Sequence, residues 1–139
     1  LLIEEYEVDI NLMSPVQSNK VLFNPIFISR ITKNPFNLDE RTYDVDLGAQ
    51  DTEKHHIEIE LPEGMTLTQS PKSMNMALPQ NSARFYYNSK IADNKLVVTQ
   101  QLALNKAIYT SDEYFGLKEL FSRIIQHMQL DFEFNYQAQ

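Results

Sequence analysis

The side chains in this sequence that could do chemistry are three histidines, several pairs of acids and some hydroxyls, so the first question is whether any of them converge. His55 and His56 are adjacent. On a β-strand, neighbours project to opposite faces, and the two cannot share one metal ion without a bulge. His127 lies in a helical stretch far along the chain and meets either of them only through the tertiary fold. Asp44, Asp46 and Asp51 around Gly48 have the outline of a calcium loop. The glycine comes one position early, however, and His55 stands where a bidentate glutamate is required. Glu58 with Glu60, and Asp131 with Glu133, put two carboxylates on one strand face. That is the minimum for a glycosidase pair, and equally the ordinary look of a solvated strand. No Gly-x-Ser-x-Gly surrounds a serine, and Gly48, Gly64 and Gly116 are too far apart for a phosphate loop. Cysteine is absent, which removes a thiol nucleophile, a thiolate metal site and any disulfide. The residues therefore predict no metal, no cofactor and no catalytic constellation.

The elements that hold these groups are mostly strands. Alternation with period two predicts strands from Tyr6 to Leu12, Lys20 to Ile31, Tyr43 to Leu47 and His55 to Leu61, with weaker ones at Met65 to Leu67 and Met74 to Leu78. Pro25 lacks an N–H and predicts an edge or a bulge in the second of these. The clearest hairpin joins Ala83–Ile91 to Lys95–Leu104 across Asp93-Asn94, two residue types that tolerate the positive φ of a tight turn. At Thr110 the period changes. Thr110-Ser111-Asp112-Glu113 reads as a capping box, and Tyr114, Leu117, Phe121, Ile124, Ile125 and Met128 follow at three-to-four spacing, predicting a helix over about 111–128. Leu130 to Tyr136 alternates again as a last strand. The predicted fold is a mainly β, antiparallel sandwich, Ig-like in general architecture, with one C-terminal helix and a final strand; a barrel is the alternative.

At 139 residues, 42% of them hydrophobic, the chain is one domain with a single core. A formal charge of −7 argues against a nucleic-acid backbone as partner. No apolar run reaches the length of a membrane span, so no membrane insertion by this chain is expected. It opens Leu1-Leu2-Ile3 rather than with methionine, so residues 1–139 are expected to be a domain excised from a larger protein.

One stretch, Asn34-Pro35-Phe36-Asn37-Leu38-Asp39-Glu40-Arg41-Thr42-Tyr43-Asp44-Val45-Asp46-Leu47-Gly48, carries a resemblance that spacing alone does not give. With Leu61-Pro62-Glu63-Gly64-Met65, Ser70-Pro71-Lys72-Ser73, Asp93-Asn94-Lys95-Leu96 and Asp112-Glu113-Tyr114 leading into Leu117-Lys118-Glu119-Leu120-Phe121, it resembles the DUF3858 family. That is a C-terminal domain of unknown function in multidomain transglutaminase-like proteins typical of Bacteroidota. The likeness runs from about residue 15 to 136, in order, with Asp44 standing where a proline is usual. The resemblance implies a β-rich accessory domain of an exported, periplasmic or secreted protein, beside a papain-like core with a Cys-His-Asp triad. Nothing catalytic carries over to this chain, since such a core keeps its cysteine elsewhere. The expected partner is that neighbouring catalytic domain, in a transglutaminase-like or protease-like parent. Within the recurring stretch, Phe36 is expected to plug the end of the sandwich and Arg41 to order the loop by donating to backbone carbonyls. Phe36, Arg41, Tyr43 and the outward-facing Tyr86 are the candidate interface residues. The competing reading is a glycan- or peptide-binding module using Tyr86 or an open edge strand.

Overall fold

The computed structural model describes residues 1–10 and 19–137. Its elements in order are β1 (Lys20–Phe23), β2 (Val45–Asp46), β3 (Asp51–Glu60), β4 (Met65–Gln69), β5 (Met74–Ala77), β6 (Ala83–Ala92), β7 (Lys95–Leu104), β8 (Ile108–Tyr109), α1 (Tyr114–Met128) and β9 (Phe132–Tyr136). All pairing is antiparallel, in a four-stranded sheet β3-β7-β6-β5, a three-stranded sheet β1-β9-β4 and the two-stranded ribbon β2-β8. The arrangement is sandwich-like, and α1 shares its core.

The larger sheet grows from the predicted hairpin. Ala92 pairs with Lys95, and Asp93 and Asn94 between them sit at φ 50° and 59°, the left-handed pair that matches strand twist. Registers then fix two faces. Phe85 and Tyr87 of β6, Leu96 and Val98 of β7, Ile57 and Ile59 of β3 and Met74 and Met76 of β5 point inward. Against them lies the helix, burying Tyr114, Leu117, Leu120, Phe121, Ile124, His127 and Met128. His127 extends the apolar stripe because its Nε2 meets the Lys72 carbonyl at 2.7 Å and its ring lies edge-on to Tyr87, centroids 4.3 Å apart. Phe132 and Phe134 of β9 close the core from the smaller sheet.

Three predicted strands shrink or are missing, and the one predicted from His55 to Leu61 starts earlier, running from Asp51 to Glu60. Residues 1–10 form no strand and are exposed, so the Tyr6, Val8, Ile10 alternation finds no partner here; Leu12 lies outside the described residues. The strand predicted from Lys20 to Ile31 stops at Phe23. Asn24 Oδ1 accepts the Ile26 N–H at 2.9 Å, its Nδ2 donates to the Met128 carbonyl at 2.7 Å, and Pro25 offers no N–H, so the ladder ends in a side-chain turn. The Tyr43–Leu47 strand shrinks to two residues, because the carbonyls of Tyr43 and Asp44 are taken by Arg41. The helix is entered through a 3-10 turn, Ser111–Glu113, and the capping box is present. Glu113 accepts the Thr110 N–H at 2.8 Å and also holds Lys106 Nζ at 2.6 Å. These contacts keep its carboxyl below the usual glutamate range, the Lys106 hydrogen bond contributing most.

Candidate functional site

The loop between β1 and β2 is locked onto the start of the helix, and its fastenings can be followed residue by residue. Asn34 donates to the Lys118 carbonyl and to Ser122 Oγ, both at 2.9 Å, while its Oδ1 accepts the Phe36 N–H. That turn aims Phe36 inward. The ring is buried edge-on between Tyr114 and Phe121, with centroids 6.1 and 5.0 Å away, the aromatic geometry that adds to simple burial. Tyr114 Oη and Lys118 Nζ both donate to the Leu38 carbonyl, at 2.9 and 2.8 Å. Arg41 lies over the Tyr114 ring, 5.9 Å from its centroid, and donates Nε to Tyr43 O at 3.0 Å and Nη2 to Asp44 O at 3.3 Å. Asp44 Oδ1 in turn accepts the Ser111 N–H at 3.1 Å, tying the loop to the helix entrance.

A loop so fixed is a preformed surface. It leaves large apolar side chains in water among charged ones such as Asp39 and Glu40: Tyr43 is 82% exposed and Leu38 55%, and around the same fastenings stand Phe115, beside Tyr114, at 69%, and Ile108 of β8, whose strand pairs with β2, at 50%. Phe36 and Arg41 therefore serve this surface from beneath, one as packing and the other as a clamp, while Tyr43 stands on it. Tyr86 is not part of it. Tyr87 faces the helix, so Tyr86 points out of the opposite face of the four-stranded sheet. Sequence reasoning missed Leu38, Ile108 and Phe115. Phe115 carried a usable signal, since it falls off the apolar stripe of its own helix.

The reactive groups stay apart. His55 pairs with Glu53 at 2.9 Å; His56, on the other face, bonds Thr99 Oγ1 and Glu58, both at 3.2 Å; His127 is in the core. Asp46 accepts the Gly48 N–H at 2.8 Å, and Asp44 is committed to Ser111, so these two hold backbone rather than a shared ion. Glu58 and Glu60 share Lys95, and Glu133 pairs with Lys20 and Thr68. Among the described residues no three His, Cys, Asp or Glu side chains are grouped to hold a metal, and no helix is long and apolar enough to cross a membrane.

Residues 19–134 match the family described as a domain of unknown function with a solved structure, DUF3858. The chain belongs to that family. It is also similar in fold to the crystal structure of a "putative protease" from Parabacteroides distasonis, with a TM-score of 0.58 at 20% identity. The match covers 69% of this chain but only 19% of that one, so the DUF3858 chain spans about a fifth of the longer protein's length. None of the curated proteins matches it.

Proposed function

We propose that this DUF3858 domain is a non-catalytic accessory module that packs its loop-and-helix end, Leu38, Tyr43, Ile108 and Phe115, against the papain-like, transglutaminase-type core of a longer exported protein. The observation that carries the reading is the set of large apolar side chains left in water at that end, on a loop fastened by Arg41 and Asn34. Apolar side chains gathered on a fixed surface gain free energy when a neighbouring domain covers them. The fold likeness to a segment of a much longer chain supports the same direction.

The test compares amide hydrogen exchange of the 139-residue chain with that of the same residues inside the parent protein. Amides around Leu38–Asp46 and Ile108–Phe115 should be more protected in the parent, and Tyr43→Ser with Phe115→Ser should remove the extra protection. Both substitutions should leave the melting of the 139-residue chain within about 0.5 kcal/mol of wild type, as expected at exposed positions. Equal protection in the two contexts would refute the reading.

A further inference from the structure

The outer face of the four-stranded sheet carries a second surface, on the side away from the docking end. The registers lay it out in rows across the strands. One row is Thr52, Ala103, Arg84 and Ala77; the next is Lys54, Gln101, Tyr86 and Asn75. In a chain of charge −7, these two rows contain two cations and no carboxylate. Asp51 and Glu53 alternate to the other face, and the outer-face acids Glu58 and Glu60 begin four residues beyond Lys54 along β3. That is about 13 Å at strand rise, beyond a physiological Debye length of about 8 Å. Those acids are also engaged, by Lys95 and His56. Among the described residues neither Arg84 nor Lys54 has a carboxylate partner.

Shape and chemistry coincide at the same spot. Arg84, Tyr86, Gln101 and Ala103 line a depression of about 240 Å³. Ala103, in register with Arg84 on the outward face, is only 7% exposed. Arg84 is oriented by Nε donating to Asn75 Oδ1 at 3.3 Å, which leaves its two Nη groups to point elsewhere. We infer that this depression is a binding site for a carboxylate-bearing saccharide. The Tyr86 ring stacks on the C–H face of one sugar, Gln101 and Asn75 exchange hydrogen bonds with hydroxyls, and the Arg84 fork takes the carboxylate. The volume, below the roughly 300 Å³ of drug-sized pockets, is on the scale of a single ring.

A peptide is the weaker fit. At the two rows of the depression the strands are paired on both sides, β7 by β3 and β6, and β6 by β7 and, over Arg84–Tyr87, by β5. Around Arg84 and Tyr86 the sheet thus offers no free N–H or C=O ladder to an extended chain, which is how sheet edges capture peptides. The inference is independent of the accessory-domain reading, since it uses none of the same residues.

Titration of the 139-residue chain, followed by amide chemical shifts, decides it. The probes are trigalacturonate and trimannuronate, with galactotriose as the neutral analogue and hexaglutamate as the acidic peptide. The expected result is binding of at least one uronate at about 1 mM or tighter, galactotriose weaker by about fivefold or more, and no saturation by hexaglutamate up to about 10 mM. Tyr86→Ala should weaken uronate binding about tenfold, and Arg84→Gln should erase the preference for the charged sugar while leaving residual binding. Should Tyr86→Ala fold poorly, Tyr86→Gln and Arg84→Gln keep the exposed positions polar and give the same comparison. No shift with either uronate up to about 10 mM, equal affinity for hexaglutamate, or wild-type affinity in the variants each overturns the assignment.

Discussion

Replacing Tyr87 by phenylalanine should make the domain more stable. The ring is 1% exposed, between the sheet and the helix, and its hydroxyl has no hydrogen-bond partner among the described residues. Ser89, two residues along the same strand, influences that hydroxyl without meeting bonding geometry. A buried, unpartnered polar group costs about 1–3 kcal/mol. Removing one oxygen leaves the ring contact with His127 in place and almost no void, so Tyr87→Phe should gain about 1 kcal/mol, or about 3 °C in Tm for a chain of this size. The same group makes the gain grow with pH. Burial pushes the Tyr87 phenol from an ordinary 10.0 up to about 12. Between these values the unfolded chain loses the proton while the folded one keeps it. Stability contributed by the neutral phenol is complete below the unfolded value and is lost as pH rises towards the folded one, by about 1–3 kcal/mol in all. Phenylalanine has no proton to lose. Urea unfolding followed by near-ultraviolet circular dichroism at pH 7 and at pH steps of the alkaline range should therefore show two curves that start apart and diverge. A variant less stable than wild type at pH 7 would refute the argument, because it would mean that the hydroxyl has a partner, such as a buried water, worth more than its burial costs.

Phe36→Ala should cost about 3–5 kcal/mol, since the side chain is buried against Tyr114 and Phe121; an unchanged urea midpoint would show that the loop is not part of the core. Glu113→Gln should lower Tm at neutral pH and make the loss on acidification smaller than in the wild type, the remainder coming from Glu58 and Glu133, whose carboxyls are also held low by His56 and by Lys20. In the wild type, the Lys106 and Thr110 contacts hold the Glu113 carboxyl low, so their contribution is present above the ordinary glutamate range and disappears as pH falls through the lowered folded value. Gly48 and Gly64 both have positive φ, but a Cβ on Gly48 meets open space whereas one on Gly64 runs into the Gln137 carbonyl. Gly48→Ala should thus cost about 1 kcal/mol from backbone strain alone and Gly64→Ala clearly more, about 3 kcal/mol; equal midpoint shifts would contradict the close approach of the β4 and β9 ends.

What could be read from the sequence was what local rules decide. Asp93-Asn94 announces its own turn, the Thr110–Glu113 box announces the helix, and the alternation of β3, β6 and β7 gives the inner face of the large sheet. What could not be read depended on partners distant in the chain. Tyr6, Val8 and Ile10 alternate as cleanly as any strand, yet a period-two pattern states only which face would be apolar, not that a sheet edge is available. The segment after Phe23 has apolar residues enough for a strand, but Asn24 finds the Met128 carbonyl more than a hundred positions away and turns the chain. The residues of the loop-and-helix surface divide the same way. Phe36 and Arg41 were legible from side-chain chemistry, one a ring needing burial and the other a fork needing carbonyls; Leu38, Ile108 and Phe115 gain meaning only once the loop, the β2-β8 ribbon and the helix entrance meet.

The same architecture separates the two proposed surfaces, which one tyrosine pair would otherwise confuse. Tyr86 and Tyr87 are neighbours in β6, and the strand sends one into the core beneath the helix and the other to the outer face. The outer rows around Arg84 and Tyr86 lie on the face of the sheet opposite the helix, so a neighbouring domain that covered only the helix side would leave them in solvent. The two proposed surfaces are thus compatible in one molecule, and substitutions at Tyr43 or Phe115 should leave uronate affinity unchanged, just as Arg84→Gln should leave the parent's exchange protection unchanged. Any cross-effect would mean that the sheet moves on docking, and the two surfaces would then have to be treated as one.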